Sequence, residues 1–245
     1  MLDIICSTMD GQRPLCYDLH YLSGIRLVIV DQCNEEAFCD SGSLVVIKTK
    51  TRGLSRSRNI GINYSVSKWI LFTDNDVKID GPQLLKIINN AERIGRSDLL
   101  ILAEKHNYGL SLKTDTLLNK FRLINPASWQ ILVSKKVILD VRFNENFGLG
   151  SGMFNSGEEN IYLMDHYNLG HNIRYLNEKV IDHPDEGTGF IYDDLFYRTR
   201  INVFKVMFGK WIGGFLVLAL FAKKQLTGKN VKFTKGLLFL WRERC

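Results

Sequence analysis

The sequence feature that most constrains the fold is an apolar run that ends on two carboxylates. Residues Trp69–Thr73 are apolar up to the final threonine, and Asp74-Asn75-Asp76 follows directly. A short apolar run that stops at turn-prone residues is typical of a strand buried on both faces. Two carboxylates one residue apart at a strand end can hold a divalent cation. On its own, the motif is equally compatible with a solvated turn.

Three further apolar runs precede this one. They are Ile4–Cys6, Arg26–Val30 and Leu44–Ile47, and each ends near polar residues. Between the last of these runs and Trp69, the segment Ser55–Ser67 has apolar residues at helical spacing. Strands that alternate with helices predict an α/β layered domain. Binding sites in such domains lie beyond the carboxyl ends of the strands.

The second half of the chain continues the alternation less regularly. We predict helices over Gln83–Gly95 and Glu158–Leu169, and strands over Leu99–Leu102 and Ser128–Val133. The stretch Asn107–Asn119 is polar and weakly patterned, which favours a loop.

Positive charge is concentrated in the last fifth of the chain. The formal net charge is +6, yet the first 197 residues hold 21 basic and 25 acidic side chains, a net −4. The remaining residues hold eleven Lys or Arg and one acid, Glu243. Nucleic-acid binding depends on clustered Lys and Arg, so the acidic balance of the main body argues against a nucleic-acid partner.

This basic tail also contains an apolar segment, Val203–Ala222. Its uninterrupted part, Trp211–Ala222, is twelve residues long, whereas a membrane-spanning helix needs roughly 20. Flanking lysines and interspersed aromatic residues are typical of a helix that lies on an anionic membrane surface. The alternative is a pair of ordinary helices packed on the protein or on a second copy.

Cysteine usage and the start of the chain indicate a compartment. The five cysteines form no C-x-x-C pair, as expected in a reducing cytosol. The residues after Asp3 lack the basic and long apolar regions of a signal peptide. We therefore expect a cytoplasmic protein, peripheral on the inner face of the cell membrane.

Two adjoining segments resemble the central signature of family 2 glycosyltransferases with the GT-A fold. They are Gly53–Ile62, which contains Arg-Asn-x-Gly, and Lys68–Val77, an apolar strand ending in D-x-D. Three later landmarks are also similar to that family: Phe143–Gly148, Gly157–Asn160, and Gly170–Tyr175 with Val180–His183. The resemblance covers roughly residues 2–190. It implies an α/β GT-A domain over residues 1–197, a mixed, mostly parallel sheet flanked by helices, with a C-terminal helical tail over residues 198–245.

The resemblance also assigns site residues. It implies donor-nucleotide contacts for Ser7, Thr8, Asp10, Asp31, Arg58 and Asp74. It implies metal ligands at Asp74, Asp76 and His183, and a catalytic pair at Glu158 and Glu159, with Glu159 as general base. The family pattern has Asp at the position of Glu159, and a Glu there can do the same chemistry. Two acids in the first helical turn could instead serve only the helix dipole.

The implied activity is transfer of a sugar from a nucleotide-diphosphate donor to an acceptor hydroxyl with inversion at the anomeric carbon. Mn²⁺ or Mg²⁺ is the expected cofactor and a UDP-sugar the expected donor. The expected acceptor is a glycan or lipid-linked glycan in surface polysaccharide synthesis. Two other classes remain open from the residues alone: a metal-dependent nucleotidyltransferase, and a non-catalytic membrane-binding module whose carboxylates are structural.

Overall fold

The structure, a computed structural model, describes residues 1–94, 97–183 and 192–242. Within them a ten-stranded sheet is flanked by six α-helices. The strands are β1 (Leu2–Met9), β2 (Ile25–Gln32), β3 (Ala37–Asp40), β4 (Leu44–Thr49), β5 (Trp69–Asp74), β6 (Lys78–Ile79), β7 (Leu99–Glu104), β8 (Thr116–Leu117), β9 (Ile131–Ser134) and β10 (Ile173–Asp182). The helices are α1 (Leu54–Asn63), α2 (Gly81–Ile94), α3 (Glu158–Asn168), α4 (Asp194–Phe208), α5 (Lys210–Leu226) and α6 (Phe233–Arg242).

The sheet is mixed and mostly parallel, as predicted. Its order is β3-β4-β2-β1-β5-β9-β7-β10-β6, and β8 pairs with β10. Strands β4, β2, β1 and β5 run parallel, and so do β7 and β10. Only β9 separates the two groups, and it is antiparallel to both β5 and β7. Two reversals restore the direction, so the carboxyl ends of all six parallel strands lie at the same edge of the sheet.

Both faces of the sheet are buried under helices. Successive residues of β1 enter different cores, Ile4 on one side and Ile5 on the other. The first core is closed by α2, through residues such as Leu84. The second is closed by α1, α3 and the C-terminal helices, and includes Ile62. Burial on both faces explains why the central strands are continuous apolar runs.

The predicted strands in the first half are confirmed, and the helix between β4 and β5 is shorter than the predicted Ser55–Ser67. Helix α1 ends at Asn63. The buried carboxylate of Asp3, at the start of β1, accepts hydrogen bonds from the backbone N–H groups of Val66 at 2.6 Å and Ser67 at 3.0 Å. This carboxylate holds the connection to β5 in an extended path. The last residue of the predicted second helix, Gly95, lies outside the described residues.

The predicted strand Ser128–Val133 is wrong in its first half. Ser128–Gln130 is a 3-10 helix, and the strand β9 begins at Ile131. The fully buried amide of Gln130 accepts from the backbone N–H of Leu110 at 2.9 Å and donates to the carbonyl of Leu102 at 2.8 Å. Its side chain thus makes contacts that strand pairing would otherwise supply.

The C-terminal helices pack on the rest of the protein. Helix α4 lies against α3, while α5 and α6 lie against α4. Buried residues of all three, including Phe204, Phe221 and Phe239, belong to the second core. The predicted boundary after residue 197 falls within α4, and the division into domain and tail stays a prediction. None of the helices in the described ranges is both long enough and apolar enough to traverse a membrane.

Candidate active site

A cleft of about 440 Å³ opens at the carboxyl edge of the parallel strands. Its walls come from the ends of β1, β2 and β5, the start of α1, and the loop before α3. Five predicted site residues line it: Ser7, Thr8, Asp74, Asp76 and His183. The other lining residues are Met9, Gln12, Gln32, Arg52, Gly53, Leu54, Asn75, Leu149 and Gly150.

A buried guanidinium joins the two acidic motifs. Arg58 is fully buried, and its Nη1 donates to Glu158 Oε1 at 2.8 Å. Its Nη2 donates to Asp74 Oδ1 at 3.0 Å and to Ser128 Oγ at 2.7 Å. Burial alone would lower the pKa of Arg58, but Asp74 and Glu158 raise it above its ordinary value. Arg58 is therefore charged, and it holds the first acid of each motif.

Close packing of α1 on β1 sets the position of Arg58. A Cβ on Gly61 would lie 2.4 Å from Ile5 Cγ2, so glycine is what allows this approach. One turn earlier, Ser57 Oγ donates to Ser7 Oγ at 2.9 Å. Arg56 lies on the outer side of the same helix, where it pairs with Glu145 at 3.1 Å and is 46% exposed. Of the two arginines in this helix, Arg58 is the one beneath the cleft.

Asp76 and His183 face each other across the cleft. Asp76 Oδ1 lies 4.0 Å from His183 Nε2, too far for a hydrogen bond but compatible with two ligands of one cation at roughly 2.0–2.3 Å each. The imidazole stacks on Trp129 with ring centroids 5.1 Å apart. Asp74 adds a carboxylate of which Arg58 engages Oδ1. The two carboxylates supply oxygen ligands that suit Mn²⁺ or Mg²⁺, and the imidazole is a ligand that a transition metal accepts more readily than Mg²⁺ does.

A second group of ligand types lies beside His183. Within the described ranges, one set of three could hold a metal ion, with ligand atoms within 4.8 Å of one another: Glu104, His106 and Asp182. Its carboxylates already have partners, since Lys105 Nζ donates to Asp182 at 3.1 Å and lowers the pKa of that acid. Glu104 accepts from the backbone N–H groups of His106 at 2.6 Å and His183 at 3.4 Å. Glu104 therefore positions the backbone of His183.

The acidic pair Glu158 and Glu159 begins α3. The preceding Gly157 has φ +91°, and a Cβ there would lie 2.4 Å from Val203 Cγ2. Glu158 is buried against Arg58, so it does more than complement the helix dipole. Burial and the charge of Glu158 raise the pKa of Glu159 to about 8. Neither acid is among the residues that line the cleft.

Asp10 and Asp31 shape the loop after β1. Asp31 is buried, and its Oδ1 accepts from Thr8 Oγ1 at 3.1 Å and from the Gly11 backbone N–H at 3.0 Å. Asp10 adopts φ +52°, and its Oδ1 lies 3.4 Å from Arg52 Nη2. Neither Asp10 nor Asp31 is among the residues that line the cleft. Their predicted contacts with the donor nucleotide stay predictions.

Arg52 and Gln32 also line the cleft, although the family resemblance assigns them no role. Gln32 Oε1 accepts from the Gly53 backbone N–H at 2.7 Å, and Arg52 Nη1 donates to the Gln32 carbonyl at 2.6 Å. The guanidinium of Arg52 is 40% exposed and could meet an anionic ligand. The signals available in the sequence were the end of an apolar run at Gln32 and a basic residue just before Gly53.

Several solved structures share the fold. S. aureus TarS 1–349 in complex with UDP-GlcNAc has a TM-score of 0.62 at 17% identity, covering 84% of this chain and 66% of that chain. M. tuberculosis glucosyl-3-phosphoglycerate synthase in complex with Mg²⁺ and UDP has a TM-score of 0.57 at 12% identity, covering 84% and 79%. A second TarS structure has a TM-score of 0.59 at 18% identity, covering 83% and 39%. This chain thus spans less than two thirds of the TarS chains.

These similarities confirm the predicted GT-A fold. No curated protein matches the sequence. The model of the family described as "Glycosyl transferase family 2" matches residues 23–154, a segment that includes α1, the D-x-D motif and part of the loop before α3. That match covers more than half of the 245 residues, so the chain belongs to glycosyl transferase family 2.

Proposed function

We propose that this protein transfers a sugar from a UDP-sugar to an acceptor hydroxyl with inversion, using a divalent cation. The observation that carries the proposal is the Arg58 network. One guanidinium engages the first acid of the D-x-D motif and the first acid of the Glu158-Glu159 pair. Asp76 lines the cleft, and Glu159 follows the anchored Glu158 in α3. In the proposed reaction Asp76 serves the donor and Glu159 the acceptor, because a direct displacement needs both groups at one reacting centre.

Glu159 is the proposed general base. As the acceptor oxygen attacks the anomeric carbon, the bond from that carbon to the diphosphate breaks and UDP leaves. The acceptor proton passes to the Glu159 carboxylate. A sugar hydroxyl is a weak nucleophile, and a positioned base accelerates such a step by about 10²- to 10⁴-fold. The raised pKa of Glu159, near 8, makes it a strong acceptor when it is deprotonated.

Asp76 and His183, with Asp74, are the proposed ligands of the cation. Such a cation, when bound, offsets the charge that develops on the departing diphosphate. The chain's own contribution is to fix the ligands in place. Asp74 is held by Arg58, and His183 is held by the Trp129 ring and by Glu104.

The proposed donor base is uracil, and the support comes from structures of the same fold. One of them is a complex with UDP-GlcNAc, and another is a complex with UDP and Mg²⁺. In this chain the walls of the cleft near Thr8 and Gln32 offer hydrogen-bonding groups for a base and ribose. Arg52, at the same wall, is suited to phosphate.

We further propose that the acceptor is a lipid-linked glycan in surface polysaccharide synthesis, and that the protein works on the cytoplasmic face of the cell membrane. The support is the basic tail, with eleven Lys or Arg and one acid after residue 197. Attachment through such a tail would bring the cleft to acceptors that stay in the bilayer.

The proposal is tested by thermal stabilisation of the purified protein with UDP, GDP, CDP and dTDP, each with Mn²⁺, Mg²⁺ or chelator. A diphosphate at about 100 times its dissociation constant should add about 2.7 kcal/mol. We expect UDP with metal to stabilise most. UDP-sugars that bind would then be screened for UDP release on addition of acceptor glycans. Release of pyrophosphate from a nucleoside triphosphate would instead identify a nucleotidyltransferase, and no stabilisation by any diphosphate would contradict the proposal.

A further inference from the structure

Helix α5 presents a row of apolar side chains to solvent. Trp211 is 74% exposed, Ile212 56%, Phe215 72% and Leu226 87%. Trp211 and Phe215 are one turn apart, and the next turn of the same face carries the exposed Ala219. Exposed apolar groups are common singly, but a contiguous row that includes large aromatic rings marks an interaction surface.

The opposite face of α5 is already used for packing. Gly213, Gly214, Val217 and Phe221 are buried against α4 and α6. A Cβ on Gly213 would lie 2.2 Å from the carbonyl oxygen of Phe204, so α5 is seated on α4 as closely as backbones allow. The helix cannot turn its exposed face inward without losing these contacts. The outer row is therefore presented to solvent by a fixed helix.

Lysines border this apolar row at both ends. Lys210 begins the helix, and Lys223 and Lys224 lie in its last turn. Beside the row, a groove of about 220 Å³ is lined by Trp211, Phe215 and Leu240, with Lys205 and Lys210 at its edge. The surface thus combines an apolar strip with ammonium groups around it. A lipid headgroup region offers the matching chemistry: phosphates outside and acyl chains beneath.

We propose that α5 is the membrane-contact element of this protein and lies flat in the headgroup region of an anionic bilayer. Trp211, Ile212 and Phe215 insert, and Lys205, Lys210 and Lys223 meet lipid phosphates. Seventeen residues give a helix about 26 Å long, suited to lie along the surface. This inference rests on the membrane attachment proposed above and assigns it to the outer face of α5, with Lys205 of α4 beside it.

Charge distinguishes this occupant from a second copy of the chain. Two copies that met through α5 would bring the same lysines together, and like charges at an interface oppose association. With an anionic membrane the electrostatic interaction of these lysines is attractive instead, since each Lys or Arg near the surface contributes about 1 kcal/mol.

The test uses the full chain with Trp241→Phe, which leaves Trp211 as the exposed tryptophan because Trp69 and Trp129 are buried. Vesicles of phosphatidylcholine, with and without phosphatidylglycerol, carry phosphatidylcholine with brominated acyl chains as the quencher. We expect binding to the anionic vesicles, weaker binding at high salt, and quenching of Trp211 fluorescence by the brominated lipid. A variant that also carries Trp211→Phe reports the signal of the two buried rings.

Phe215→Glu provides a second reading, with Leu139→Glu as its control. Leu139 is also exposed, at 64%, but lies in the turn after β9. We expect Phe215→Glu to weaken vesicle binding by about tenfold or more and Leu139→Glu to leave it unchanged. Both sites are exposed, so both variants should fold, which their melting temperatures would verify.

Three outcomes would overturn the inference. If the protein does not bind vesicles, membrane attachment and this surface both fail, while transfer from a UDP-sugar can still be measured with a soluble acceptor. If it binds but Trp211 is not quenched and Phe215→Glu binds normally, attachment stands and α5 is not its element. If vesicles are not bound and light scattering shows a dimer that Phe215→Glu dissociates, the surface is a contact between copies.

Discussion

The two acidic motifs of this protein, Asp74-Asn75-Asp76 and Glu158-Glu159, share one arrangement: the first acid of each is held by an arginine and the second is not. In each, the first acid is bound to the buried guanidinium of Arg58, through Asp74 Oδ1 at 3.0 Å and Glu158 Oε1 at 2.8 Å. In each, the second acid is left outside that ion-pair network. Asp76 is half-exposed toward His183, and Glu159 has a pKa raised to about 8 by burial and by Glu158. The first acids anchor the network, and in the proposed mechanism Glu159 is the base while Asp76, together with Asp74, binds the cation.

This difference has an energetic basis. A buried charge without a partner costs several kcal/mol. Separating Arg58 from Glu158 and Asp74 would therefore destabilise the fold. A half-exposed carboxylate such as Asp76 keeps much of its hydration and can exchange water for a cation at small cost. Substitutions should therefore separate the two groups. Changes at the anchors should reduce stability, and changes at the second acids should reduce activity.

The largest effect is expected for Glu159→Gln, which removes the proposed base. We expect the turnover rate with a UDP-sugar and its acceptor to fall about 10²- to 10⁴-fold, equivalent to about 3–5 kcal/mol in the barrier. Donor binding, measured by UDP stabilisation with metal, should change little. Glu145→Gln is the control, because that carboxylate is half-exposed and pairs with Arg56.

The pH dependence of the same step follows from the raised pKa of Glu159. The fold favours the protonated form, so its stabilising contribution is full below about 4.5 and is lost as pH rises through about 8. The base is active only when it is deprotonated. Turnover should therefore rise as the pH increases toward about 8, the same range over which the stabilising contribution of Glu159 is lost. A turnover rate that does not change with pH through about 8 would contradict the assignment, as would a Glu159→Gln variant that retains activity.

Arg58→Met tests the anchor. Removing the guanidinium leaves Glu158 buried without its ion-pair partner, and we expect the free energy of unfolding to fall by about 3–5 kcal/mol in denaturant titrations. Arg56→Met is matched to it, since it lies on the same helix but pairs with Glu145 at the surface. That variant should change stability by about 1 kcal/mol or less. Equal effects of the two variants would show that Arg58 is not an anchor.

The sequence predicts those parts of the fold that rest on local patterns. Strands β1, β2, β4 and β5 are apolar runs buried on both faces, and burial produces that pattern. Strand β3 is a four-residue edge strand exposed throughout, so burial does not set its sequence pattern. Strands β6 and β8 have two residues each and are too short to show a pattern. The 3-10 helix before β9 depends on the side-chain contacts of Gln130, which periodicity does not record.

The same limit applies to the site. The D-x-D and Glu-Glu pairs are visible because each lies within a few residues of a strand end or helix start. Which acid of each pair is anchored is not visible. It depends on Arg58 contacting Glu158, 100 residues away, and Ser128, 70 residues away. Glu104 was also missed, because it contributes through backbone N–H groups of His106 and His183.

Asp76→Asn tests the second acid of the D-x-D motif, for which we expect a loss of metal binding without a loss of stability. The side chain is 49% exposed, so the substitution should leave the stability of the free protein within about 0.5 kcal/mol. It should abolish the extra stabilisation by UDP that depends on Mn²⁺ or Mg²⁺, about 2.7 kcal/mol at saturating ligand. Asp18→Asn, at an exposed acid paired with Arg13, should keep that stabilisation. A metal-dependent shift that survives in Asp76→Asn would place the cation elsewhere, with Glu104, His106 and Asp182 as the next ligands to test.

The smallest effect is expected for Ser128→Ala, which removes one neutral member of the anchor and leaves its charges. Ser128 Oγ accepts from Arg58 Nη2 at 2.7 Å, and a hydrogen bond to a charged group contributes about 1.5–3 kcal/mol. Because Nη2 keeps its bond to Asp74 at 3.0 Å, we expect a loss near the lower end, about 1.5 kcal/mol, in the free energy of unfolding. Turnover should fall only slightly. If Ser128→Ala instead abolished turnover at unchanged stability, the anchor itself would take part in the reaction, and the separation between first and second acids would fail.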